Sequence, residues 1–119
     1  MKIFLIGATG GVGHRLLPML HAKGHEVVGL HRKPEQLVEI AKAGGIPVLG
    51  DIIDMTVDDL VAVGTGCDVV VFSAGAAGSG LDRTTAIDGD GPIKMIEVAN
   101  RLGISRFYLV SAFPEAGRL

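Results

Sequence analysis

The chain has 119 residues, of which 48% are hydrophobic, and this is enough apolar material for the core of a single domain over residues 1–119. Its formal net charge of −2 and its scattered basic residues exclude a basic surface of the kind that binds nucleic acid. A single cysteine, Cys67, excludes a disulfide framework. Because no signal peptide is evident and no apolar run approaches the ~20 residues of a membrane span, we expect a cytoplasmic protein without a membrane partner.

Apolar runs of strand length alternate with helical patterns along the chain. Strands are predicted at residues 3–6, 26–31, 46–49, 68–72 and 107–110. Helices are predicted at residues 11–22, from 34 to the glycine pair 44–45, at 56–63 and at 92–102. Pro47 in the third strand suggests an edge position. In the second helix, four residues are predicted to face inward: Leu37, Val38, Ile40 and Ala41.

This alternation predicts an α/β fold with right-handed βαβ units, a parallel sheet and helices on both faces. We expect the Rossmann-type strand order 3-2-1-4-5, in which the switch point lies between the first and fourth strands. The chain stops soon after the fifth strand, so the sheet is expected to be truncated there. Its exposed fifth-strand edge would then be open to pairing with a second copy of the chain, giving a homo-oligomer.

A glycine-rich turn, residues 7–13, stands between the first strand and the first helix. Gly7 permits a tight turn, Gly10 lets phosphates approach the backbone, and Gly13 lets the helix pack close to the strand. Unpaired N–H groups and the helix dipole favour negative charge at a helix N-terminus. The turn therefore predicts a site for the diphosphate of a dinucleotide, and its position makes that signal specific.

The residues after the second strand select the cofactor. A free ribose 2′-hydroxyl is usually met there by an acid, but this chain has Arg32 and Lys33 instead. An arginine fork suits a 2′-phosphate, so we predict NADP(H), with NAD(H) less favoured. The alternative is that these two cations belong to a solvated turn. Asp51, after the third strand, is a candidate acceptor for the adenine amino group or else a turn residue.

Metal sites are not predicted. His14, His21 and His25 have spacings of seven and four, but Gly24 ends the helix before His25, so a solvated helix face is the better interpretation. Residues 88–91 resemble the start of a calcium loop, but proline and alanine stand at positions where ligands are needed.

The chain resembles the atypical short-chain dehydrogenase/reductase superfamily, and it is most similar to the NAD(P)H-binding, NmrA-like and flavin-reductase-like branch. The matching segments are residues 7–13, 30–34, 50–54, 71–75, 87–88, 99–103 and 106–112. The resemblance implies cofactor contacts at a set of positions that follow the strands: Gly7, Thr9, Gly10, Gly11, Val12, Gly13, Arg32, Asp51, Ile52, Ser73, Ala74 and Gly75.

The resemblance also places Ser111 beside the nicotinamide, as a candidate catalytic residue or simply as a strand-end residue bonding the backbone. Family members continue for roughly another hundred residues that build the substrate pocket. Many of them carry a Tyr-x-x-x-Lys pair there, in which the tyrosine donates a proton. In this chain Tyr108 lies inside the fifth strand and is followed four residues later by Ala112, so the catalytic half is expected to be absent.

The function implied by the resemblance is the NADP(H)-binding part of an NADPH-dependent oxidoreductase that reduces a small carbonyl, quinone or flavin-like acceptor. The alternative is a non-catalytic NmrA-like redox sensor that binds NADP(H) and acts through a protein partner.

Overall fold

The computed structural model describes residues 1–8, 13–73 and 91–109. Within these ranges five parallel strands form one sheet in the order β3-β2-β1-β4-β5, which confirms the predicted order. The strands are β1 (Lys2–Ile6), β2 (Glu26–His31), β3 (Ile46–Leu49), β4 (Val69–Phe72) and β5 (Arg106–Leu109). β3 forms one edge of the sheet, as Pro47 predicted. Among the described residues β5 forms the other edge, and its pairing with a second copy remains a prediction.

Four α-helices connect the strands in the described part of the chain. They are α1 (Gly13–Ala22), α2 (Leu37–Lys42), α3 (Val57–Gly64) and α4 (Gly91–Leu102). Thr56 caps α3, because its hydroxyl accepts the Asp59 N–H at 3.1 Å while the Asp59 carboxylate accepts the Thr56 N–H at 3.1 Å.

The core consists of two apolar clusters, one on each face of the sheet. On one face, Leu5 of β1 packs with Leu17 of α1 and Ile40 of α2. On the other face, Phe4 of β1 packs with a cluster that includes Leu60 of α3 and Met95 of α4. β1 is therefore apolar on both sides, as a central parallel strand must be, and the predicted placement of helices on both faces is confirmed.

The second helix differs from its prediction. The chain enters it through a 3₁₀ turn, Pro34–Gln36, which winds more tightly than an α-helix. The α-helical part is short and only Ile40 of it is buried. The inward placement of Leu37, Val38 and Ala41 was wrong, because all three are exposed. The tighter first turn changes the phase of the apolar positions relative to the sheet.

We predict that Leu60→Ala lowers the free energy of unfolding by about 2–5 kcal/mol, because it leaves a cavity beneath α3 where the side chain is fully buried. Urea denaturation would measure the change. The matched control is Leu49→Ala on β3, where the side chain is 56% exposed and the change should stay within about 0.5 kcal/mol. Equal losses for the two variants would contradict the assignment of Leu60 to the core.

Candidate cofactor-binding site

The carboxyl ends of β1 and β4 meet at the switch point of the sheet. Both the backbone N–H and the hydroxyl of Ser73 donate to the Ile6 carbonyl, each at 2.9 Å. α1, which follows β1, and α4, which follows β4 in the chain, lie on opposite faces of the sheet. Ligands of open α/β sheets bind in the crevice that this divergence creates. The hydroxyl of Ser73 has one proton, and it donates this proton to Ile6. In the predicted contact with the cofactor, the hydroxyl oxygen would therefore act as an acceptor.

The glycine turn brings the start of α1 directly onto the end of β1. Gly7 has φ +86°, a left-handed conformation that favours glycine. A Cβ at Gly13 would collide with the carbonyl of Gly7 and crowd the Cα of Ala8. The predicted close approach of helix and strand at Gly13 is therefore confirmed. Residues 9–12, which include the predicted phosphate contacts Thr9, Gly10, Gly11 and Val12, lie outside the described residues.

The turn after β2 holds two cations at the surface. The side-chain oxygen of Gln36 accepts the backbone N–H groups of Arg32 and Lys33 at 3.2 and 3.0 Å. This fixes the backbone of the turn, while both basic side chains are exposed. Within the described residues neither of them forms an ion pair. The pair is thus available to an anionic ligand.

His31, the last residue of β2, is the feature that sequence reasoning missed at this point. It is only 2% exposed, and its Nδ1 lies 2.9 Å from the Lys33 carbonyl, so Nδ1 carries the proton and donates. Nε2, the other ring nitrogen, has no hydrogen-bond partner in the described part of the chain. Its place, about 20 residues after the glycine turn where an acid usually stands, could have drawn attention to it.

The segment after β3, residues 50–55, is here called the β3 loop. Its first N–H, from Gly50, donates to the His31 carbonyl at 2.8 Å and so joins the loop to the end of β2. The Asp51 carboxylate accepts the Ile53 N–H at 3.0 Å. Asp51 therefore begins the turn of this loop, and its contact with adenine stays a prediction. Ile52 is buried, at 5% exposure.

Lys94 of α4 reaches the same loop, and nothing in its helical sequence pattern signalled this. Its ammonium donates to the carbonyls of Ile52 at 2.7 Å, Met55 at 2.9 Å and Ile53 at 3.3 Å. The side chain is partly buried.

The predicted site residues that the structure describes thus lie together at the carboxyl ends of the strands. These are Gly7, Gly13, Arg32, Lys33, Asp51, Ile52 and Ser73. Ala74, Gly75 and Ser111 lie outside the described residues, and every cofactor contact remains a prediction. Across residues 1–8, 13–73 and 91–109, no cluster of three or more His, Cys, Asp or Glu could hold a metal ion. No helix in these same ranges is long and apolar enough to cross a membrane.

Residues 7–117 match the family of NAD(P)H-binding proteins. The chain belongs to this family. The matched range begins at the glycine turn and includes all the elements from α1 to β5, so the family assignment covers nearly the whole of the described fold.

The relatives include epimerase-like proteins and a reductase. The uncharacterized sugar epimerase YhfK of Bacillus subtilis is 39% identical over 120 residues, which cover 99% of this chain and 56% of YhfK. A candidate NAD-dependent epimerase/dehydratase from Bacillus halodurans has a TM-score of 0.83 at 34% identity, with 94% of this chain and 51% of that chain covered. ChuY, an anaerobilin reductase from Escherichia coli O157:H7, has a TM-score of 0.74 at 26% identity, with 94% and 51% covered. The chain spans about half the length of these relatives.

We predict that Gly13→Ala lowers the free energy of unfolding by about 1–3 kcal/mol, because the added methyl would overlap backbone atoms that cannot move independently of β1. The neighbouring substitution His14→Ala, at an exposed position of the same helix, should change it by less than about 0.5 kcal/mol. Chemical denaturation of both variants gives the comparison. Wild-type stability in Gly13→Ala would contradict the close approach of α1 to β1.

Proposed function

We propose that this chain is the NADP(H)-binding part of a cytoplasmic, NADPH-dependent oxidoreductase that reduces a small carbonyl, quinone or flavin-like acceptor. Within the NAD(P)H-binding family we assign it to the atypical short-chain dehydrogenase/reductase superfamily, in the NmrA-like and flavin-reductase-like branch. Family membership already implies the dinucleotide. The proposal adds the choice of NADP(H) and the reduction of an acceptor.

The observation that carries the proposal is the cationic pair after β2. Arg32 and Lys33 are exposed, without an ion pair in the described residues, and Gln36 holds their backbone in one conformation. A ribose 2′-phosphate would gain charge-assisted hydrogen bonds from the Arg32 guanidinium. A carboxylate, which would repel that phosphate, does not occur at residues 30–34.

The described residues fit a dinucleotide. Gly7 and Gly13 bring the start of α1 to the strand end without a side chain in the way, which suits a diphosphate at the helix N-terminus. When bound, the cofactor would supply a hydride to the acceptor. The chain's own part is to bind and orient: the glycine turn on the diphosphate, Arg32 on the 2′-phosphate, and the segment from Ser73 to Gly75 with Ser111 beside the nicotinamide.

A second candidate is an NAD-dependent sugar epimerase or dehydratase, which the names of the two Bacillus relatives favour. Such a protein needs affinity for a free 2′-hydroxyl, which is usually met by an acid after β2. The cationic pair in this chain favours the reductase, and ChuY, with the same fold at 26% identity, bears a reductase name.

We predict that Arg32→Ala weakens NADPH binding by ~1.5–3 kcal/mol and leaves NADH binding unchanged, because only NADPH carries the 2′-phosphate. Parallel calorimetric titrations of the 119-residue chain with the two cofactors would measure this. The matched control is Arg106→Ala, which removes the same charge at the start of β5. This position is at the amino end of its strand, whereas the proposed site is at the carboxyl ends. It should leave both affinities unchanged.

Equal losses for NADPH and NADH in Arg32→Ala would remove Arg32 from the proposed role. Tighter binding of NADH than of NADPH by the wild-type chain would favour the epimerase candidate. The choice of reaction is then tested on the protein extended to the full length of its relatives. Consumption of NADPH with a quinone, aldehyde or flavin supports the reductase, whereas conversion of a nucleotide sugar with bound NAD contradicts it.

A further inference from the structure

We propose that Lys94 is a positioning residue that holds the β3 loop in the shape that receives the adenine half of the cofactor. This inference rests on the proposed function, because it concerns the same site. It assigns a role to a residue of α4 that lies outside every segment in which cofactor contacts were predicted.

Two residues hold the β3 loop in its conformation, and Lys94 is one of them. The other is Asp51, which accepts hydrogen bonds from the N–H groups of the loop. Its carboxylate accepts the Ile53 N–H, and its carbonyl accepts the N–H groups of Asp54 and Met55 at 3.0 and 2.9 Å. Each of these bonds directs an N–H group of the loop toward Asp51.

Lys94 has the complementary role, because it donates hydrogen bonds to the carbonyl groups of the loop. An ammonium has three N–H donors, and the three carbonyls at residues 52, 53 and 55 lie within hydrogen-bond distance of this one. Carbonyl oxygens that converge on one point repel each other unless a cation lies between them. Bonds from an ionised donor are also stronger than neutral ones. The loop conformation therefore depends on the Lys94 charge.

The position of Lys94 in its helix supports this role over a purely helical one. It stands in the first turn of α4 (Gly91–Leu102), where the helix dipole disfavours a cation. A lysine there does not stabilise α4, so its favourable contacts come from the loop. The next residue, Met95, is fully buried in the same apolar cluster as Ile52, which keeps helix and loop in contact.

Asp51 and Lys94 should affect cofactor binding because the loop residues they hold are predicted to contact the cofactor. Asp51 is the predicted contact of adenine, and Ile52, beside it, is a predicted cofactor contact. Lys94 bonds the carbonyl of Ile52 at the shortest of its three distances, 2.7 Å. Without the ammonium, these carbonyls would turn toward water to regain hydrogen bonds. The Asp51 carboxylate and the Ile52 side chain would move with them.

The test uses Lys94→Met, which keeps an unbranched four-atom stem like that of lysine and removes the ammonium donors. Hydrogen exchange is expected to show lost protection of the Ile53 and Met55 amides, with the amides of β1 unchanged. Calorimetry should show NADPH binding weakened about 10- to 150-fold, the effect of one lost charge-assisted hydrogen bond. The matched control is Arg101→Met on the same helix, whose exposed ion pairs with Asp58 and Glu97 should matter to neither measurement.

A rescue separates positioning from general destabilisation. Lys94→Cys treated with 2-bromoethylamine regains an ammonium at the lysine position, with sulfur in place of one methylene. Cys67 is buried, and burial raises the pKa of its thiol, so it should react slowly. The wild-type chain carried through the same treatment controls for it. Recovery of both amide protection and NADPH affinity supports the proposal.

The outcomes are distinguishable. Wild-type NADPH affinity in Lys94→Met overturns the positioning role, whether or not the loop amides exchange faster. Failure of the alkylated Lys94→Cys chain to regain affinity overturns the role of the ammonium. If the folded wild-type chain binds neither cofactor, the proposed function is overturned. Hydrogen exchange then decides alone whether Lys94 holds the loop.

Discussion

The contact between the start of α1 and the end of β1 constrains the whole carboxyl edge of the sheet. Gly13 lies so close to the Gly7 carbonyl that no side chain fits between them, and Gly7 must adopt a positive φ to make the turn. β1 cannot shift to relieve this contact, because Leu5 and Phe4 are buried on opposite faces of the sheet. A fully packed strand thus provides the rigid base from which the glycine turn presents the helix N-terminus.

The neighbouring elements form a connected network around this base. Gly50 bonds the carbonyl of His31, so the β3 loop is tied to β2, and Lys94 ties the same loop to α4. On the other side of β1, Ser73 ties β4 to Ile6. Polar groups at the carboxyl ends of the strands therefore have two roles. Most of them hold the backbone in place, and a smaller set, chiefly the basic pair after β2, is exposed to a ligand.

Much of the fold could be predicted because its signals are local. Strand-length apolar runs and the glycine turn depend on residues close together in the chain, and the strand order is that of the Rossmann-type fold which this alternation predicts. The exposed faces of α2 could not be predicted in the same way. The 3₁₀ turn at Pro34–Gln36 changes the phase of that helix, and apolar spacing read at one fixed period then assigns Leu37 and Val38 to the wrong side.

The sequence by itself determined that the chain forms a parallel sheet, that a glycine turn follows β1, and that cations rather than an acid follow β2. These depend on residue type and short-range order. Only the tertiary structure decided what Ser73 and Lys94 contact, because their partners are 67 and about 40 positions away in the chain. It also decided that His31 is buried, with an Nε2 that has no hydrogen-bond partner among the residues that the structure describes. Hydrogen bonds between distant segments depend on distances of a few ångströms that are set by the packing of whole elements, and no local pattern in the chain records them.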